Sequence, residues 1–165
     1  MLRPVNDGFK KQMEREVIQG FLNMCLTKNN MTAGATSCVQ FSASMNSLII
    51  YTIGGVVYST AGTTSGFAIG SSGMSTVGSG QARRYAVCIT SNASIVLWGG
   101  DLVSAGSASA TAFCNAAPAS QCILGTILIS LASTSTWAAG SALASGAPWE
   151  WTDCFMVPQG VIINT

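Results

Sequence analysis

No histidine occurs anywhere in this 165-residue chain. That removes the ordinary Ser-His-Asp and Cys-His arrangements, in which an imidazole takes the nucleophile's proton. Charge is nearly as scarce, at 8% of residues, where the surface of a soluble monomer is usually about 25–35% charged side chains. Eight of the charged residues fall within the first 28 positions. The 137 residues that follow carry five, namely Arg83, Arg84, Asp101, Glu150 and Asp153. A net charge of +1 offers no long-range attraction for nucleic acid or an acidic membrane. An isolated Arg83-Arg84 pair is too small for a phosphate-binding patch and reads as a solvated or interface pair. Early in the chain Lys10, Lys11, Glu14, Arg15 and Glu16 interrupt the apolar run a secretory leader needs. Assembly in a cytoplasm is therefore expected, and the glycosylation-like triplets at Asn30 and Asn92 are set aside. The apolar run Cys122 to Ala132 is about 11 residues, short of the roughly 18 a membrane helix requires, so no membrane partner is expected.

Motifs for chemistry are equally sparse. The run Gly70 to Gly73 is not a nucleophile elbow, and no lysine follows a glycine run as a phosphate loop demands. Glu150 and Asp153 are neighbouring carboxylates of the kind a glycosidase pairs. Three residues apart on a strand, they should point to opposite faces. Six cysteines stand at 25, 38, 88, 114, 122 and 154 without any C-x-x-C spacing. Zinc bound by four scattered cysteines is the alternative to plain thiols. Cys114 and Cys122 flank a short loop and form the best-placed disulfide pair, although a cytoplasmic setting favours reduced thiols. The expectation is no catalytic residue, no cofactor and no metal.

What the chain does have is pattern. Over residues 7–28, Phe9, Met13, Val17, Phe21 and Cys25 recur every four positions. Ile18 and Leu22 widen the stripe, and Lys10, Lys11, Glu14 and Arg15 lie opposite. That is an amphipathic helix, either docked on its own domain or serving as an arm toward neighbouring subunits. Phe9, Met13, Val17 and Phe21 are the candidate assembly-interface residues. After Asn29-Asn30 the period drops from 3.6 to 2. Leu48 to Ser59 predicts a hairpin turning at Gly54-Gly55, with Tyr51 facing Tyr58. Tyr85 to Thr90 and Ile95 to Trp98 predict a second hairpin through Ser91 to Ala93. Cys122 to Leu131 predicts a fully apolar strand, or a pair bent at Gly125. Trp137, Leu143, Trp149 and Trp151 mark shorter strands, and Gly160 to Ile163 a last one. Residues 104–121 read as a loop or short helix. These short strands, broken by Gly and Ser clusters, indicate an all-β fold, a sandwich or barrel-like domain of hairpins over residues 31–165. A helical arm over residues 1–30 precedes it.

Residues 48–143 also resemble the small accessory proteins of tailed-bacteriophage heads, the decoration or head-fibre proteins. The pieces are YTIGGVVYSTAG (Tyr51 to Gly62), RRYAVCIT (Arg83 to Thr90), IVLWGG (Ile95 to Gly100), ILGTILIS (Ile123 to Ser130) and WAAGSALAS (Trp137 to Ser145), in the order of that family. The resemblance implies a β-rich, often trimeric virion component that binds the capsid shell, with the major capsid protein as partner, and has no catalytic residues to carry over. The six cysteines, the single proline in the Ala-rich turn and the tryptophan-rich tail depart from it. The resulting expectation is a decoration or cement protein on the capsid surface, assembled in the host cytoplasm. Its alternative is an exposed fibre or adhesin whose Trp149 and Trp151 stack on host glycans.

Overall fold

The computed structural model describes residues 22–33, 38–43, 48–62, 67–68, 76–107, 119–131, 136–137 and 149–155. In chain order they form β1 (Met24–Cys25), β2 (Asn29–Ala33), β3 (Cys38–Ala43), β4 (Leu48–Ile53), β5 (Val56–Ala61), β6 (Phe67–Ala68), β7 (Gln81–Thr90), β8 (Ile95–Gly99), β9 (Val103–Ser104), a 3-10 turn (Ala105–Ser107), β10 (Gln121–Ser130) and β11 (Trp149–Asp153). The fold is all-β. Its ladders are antiparallel and make three sheets: a central one ordered β11-β10-β7-β8 with β9 also on β7, a hairpin sheet β1-β4-β5, and a small sheet β2-β3-β6.

Both tyrosine and glycine act as expected in the first hairpin. Gly54 and Gly55 take φ of 59° and 80°, the pair of positive values that a two-residue turn compatible with strand twist requires. Ile53 then pairs with Val56 and Tyr51 with Tyr58, whose rings stack with centroids 5.6 Å apart. Such a contact contributes about 0.5–1.5 kcal/mol beyond area burial. The second hairpin pairs Ile89 with Ile95 and Val87 with Leu97. Its turn places Ala93 at φ 62°, the left-handed position that closes a three-residue loop.

β7 and β10 are the spine. They are paired over almost their whole length, from Gln121 opposite Thr90 to Ser130 opposite Ala82, with a bulge between Ile123 and Gly125. Both are buried on both faces, as a strand covered on two sides must be, and their sequences are correspondingly near-continuous apolar runs. On one face Tyr85, Val87 and Ile89 meet Leu124, Ile127 and Ile129. Ile49 and Tyr51 of the hairpin sheet close over them in a single core with Val77 and Trp137. The Tyr51 hydroxyl donates to the Thr90 carbonyl at 2.8 Å, so the polar tip of a fully buried ring is satisfied. On the opposite face Ala82 and Leu128 form a smaller cluster with Val103.

The N-terminal helix expectation meets a correction at its end. Met24 and Cys25 are a strand, paired with Thr52 and Tyr51, and not the last turn of a helix. Cys25 matched the four-residue spacing by coincidence, because its burial comes from cross-strand packing. The preceding positions Phe9, Met13, Val17 and Phe21 lie outside the described residues, as do Leu143 and the expected strand at 160–163.

Candidate functional site

Polar groups collect where the three sheets meet, and Asn23 begins the seam. Buried to 5% exposure, its amide donates to the carbonyls of Ala119 at 2.7 Å and Gln121 at 3.0 Å. Its oxygen accepts the Gly54 N–H at 2.7 Å, and the Gly55 N–H donates to the Leu22 carbonyl. Residues 22 and 23 thus tie the hairpin turn to the start of β10. Next, the Thr27 hydroxyl accepts the Ile50 N–H at 3.0 Å. The fully buried Asn29 donates to Cys25 Sγ at 2.9 Å, and that thiol donates to the Thr27 carbonyl at 3.1 Å. From the other side, the Trp151 indole N–H donates to the Asn29 carbonyl at 2.9 Å.

The thiols around this seam are chemically quiet. Cys25, Cys88, Cys122 and Cys154 are buried and are not in disulfides. Burial pushes the Cys25 thiol up from its ordinary value, against the opposing pull of hydrogen bonds from Thr27 and Asn29. Burial pushes Cys122 up further, and nearby Cys25, Cys88 and Cys154 add to it. A thiol, not a thiolate, is a poor nucleophile and a poor metal ligand. Among the described residues no group of three or more His, Cys, Asp or Glu is arranged to hold a metal ion. Cys122 is a free thiol rather than half of a disulfide, and Cys114 lies outside the described residues.

The two carboxylates separate as strand geometry requires. Glu150 lies opposite Leu128 and Asp153 opposite Gly125, so they occupy different faces of β11. Glu150 is exposed, while both carboxylate oxygens of Asp153 are shielded from solvent and lack a hydrogen-bond partner. Burial raises the Asp153 carboxyl above its ordinary value.

Arg83 and Arg84 are not a solvated pair. Neighbours on a strand point to opposite faces, and both faces of β7 are covered. Arg84 is 7% exposed and donates to the Thr126 hydroxyl at 3.2 Å. Arg83 donates from Nε to the Gly100 carbonyl at 2.5 Å and lies over the Tyr85 ring, 5.7 Å from its centroid. Trp149 and Trp151 pack against the main core. Several large apolar side chains face outward: Val56 and Val57 are 55% and 63% exposed, and Leu48, Trp98, Leu102 and Phe155 are also exposed.

Sequence reasoning missed Asn23 and Asn29. Asn23 lies within the run 7–28 that reads as a helix, and Asn29 just beyond it, where an asparagine is an ordinary cap or turn residue. Only their burial gives them meaning. Among the described residues no helix is long and apolar enough to cross a membrane. The chain matches no family model, no curated protein and no solved structure.

Proposed function

We propose that this chain is a structural protein of a phage virion, which binds the capsid shell through the major capsid protein as a decoration or cement component and stabilises it, most readily as a homotrimer. The observation that carries the reading is the outward side of the first hairpin. Leu48 pairs with Ala61, Ile50 with Ser59 and Thr52 with Val57, which puts these six uncharged residues on one side of the sheet. Leu48, Val57, Ser59 and Ala61 of this set are exposed. An apolar surface of this kind is characteristic of an interaction site. The Cys25 and Cys122 thiols nearby are buried and pushed above their ordinary titration, which suits packing better than turnover. The ordered resemblance over residues 48–143 supplies the virion setting.

The test is location and copy number. Quantitative mass spectrometry and cryo-electron microscopy of purified particles should find the protein over the whole shell, in a fixed ratio to the major capsid protein. Shells lacking it should gain thermal stability when it is added back. Presence in a few copies at a fibre tip or neck, with no effect on the shell, would overturn the reading. The adhesin alternative rested on Trp149 and Trp151, and both rings are packed on the core.

A further inference from the structure

Within five residues the end of β11 touches all three sheets. Trp151 bonds to Asn29 at the start of β2. Asp153 stands opposite Gly125 on β10. The Cys154 N–H donates to the Leu124 carbonyl at 3.2 Å, and Phe155 bridges in parallel to Cys25 of β1. In the middle of this join sits a carboxyl group with both oxygens out of solvent and unbonded. The N–H groups of Asn29 and Phe155 and the Trp151 indole lie near enough to favour the ion, but none completes a hydrogen bond to it. On β1 the facing titratable group is Cys25, held neutral by burial. Between β1 and β2 it is Lys28, whose exposed ammonium also favours the ion. On β10 the opposing residue is Gly125, which contributes no charge. Burial outweighs these attractions.

We propose that Asp153 is a protonation-controlled latch on the seam between the three sheets, closed while its carboxyl is neutral and loosened when it ionises. A buried carboxylate that completes no hydrogen bond is disfavoured. It either keeps its proton or opens its surroundings to water. The contacts it would loosen are those of the β11 end to Asn29 of β2 and, through Phe155, to Cys25 of β1.

The direction of the pH effect follows from linkage. The unfolded carboxyl titrates at its ordinary value of 3.8, and the folded one higher. The stability contributed by the proton is fully present below 3.8 and is lost as pH rises through the raised folded value. Melting temperatures of the intact protein and of Asp153→Asn, measured from pH 3 to 8, test this. The variant has no charge to bury, so its melting temperature should gain on the wild type as pH rises. The gain should be roughly 3–6 °C for each tenfold change in the folded-to-unfolded ratio. Two parallel curves would overturn the proposal. Should the variant fail to fold, the carbon resonance of the Asp153 carboxyl in the wild-type protein gives the titration directly. A midpoint above 3.8, tracked by the Trp151 indole N–H signal, supports the latch. A midpoint at or below 3.8, or an indole signal indifferent to it, overturns it.

Discussion

At position 125 the chain requires the absence of a side chain. A Cβ there would clash with Cζ2 and Cη2 of the Trp151 ring and fall 2.7 Å from the Thr152 carbonyl oxygen. The glycine therefore lets β11 close onto β10 beside the bulge, and it lets the Trp151 indole reach Asn29. Gly125→Ala should destabilise the protein by about 1–3 kcal/mol, the usual range for overpacking. The cost is measurable as a lower urea midpoint with unchanged slope. Adding Trp151→Leu should recover part of the loss, because the two positions share one volume; strict additivity of the two substitutions would contradict the contact. The same residue scale holds the chemistry. Asn23, Asn29 and Asp153 are unremarkable letters in the sequence, and each becomes consequential through the water it loses.

Among the elements, β1 has the greatest consequence for its length. Two residues of strand, with Asn23 before it and Thr27 after it, hold the hairpin sheet to the central sheet. A boundary at residue 30 would cut through these bonds, so the N-terminal segment must be removed further upstream to test its role. Deletion of residues 1–20 should leave β-type circular dichroism and cooperative melting intact. Deletion of residues 1–28 should abolish both, since it strips Asn23 and Thr27 from buried partners at roughly 1–3 kcal/mol each. If the segment is an assembly arm, the shorter deletion should also lose incorporation into capsids. Phe9→Ala, Met13→Ala and Phe21→Ala together should reproduce that loss, because each buried apolar side chain contributes about 1.5–3 kcal/mol. Normal incorporation of the shorter deletion would remove the arm from the account.

For the molecule as a whole, the pressing quantity is surface. A mean hydropathy of +0.44 and exposed Val56 and Val57 on an uncharged strand favour the association that the proposed function requires. Edge strands are ordinarily protected by lysine, proline or a bulge, and β5, Val56–Ala61, contains none of these. Light scattering on the purified protein should therefore report a stable homo-oligomer at micromolar concentration. Val57→Lys should shift it to smaller species by at least tenfold in dissociation constant while leaving circular dichroism unchanged. A monodisperse wild-type monomer would contradict the proposed mode of action.

The architecture was legible because its signals are local. Gly54-Gly55 between alternating β-branched residues allows few structures other than a hairpin, and the turn sets the Tyr51–Tyr58 pairing without help from the rest of the chain. The alternation over Tyr85 to Thr90 and the apolar run Cys122 to Leu131 likewise indicated strands, and the absence of histidine limited the chemistry before any fold was known. The end of the N-terminal helix was misread because Cys25 fits a helical period as well as a strand, and only pairing with Tyr51 decides between them. Arg84 reads in the sequence as a solvated or interface charge, since charged residues are usually exposed, and its burial follows from which strands lie beside it. Periodicity and turn chemistry are properties of neighbouring residues, so sequence carries them. Desolvation and the closing of the seam depend on residues distant in sequence, such as Asn29 with Trp151, and only tertiary structure brings those together.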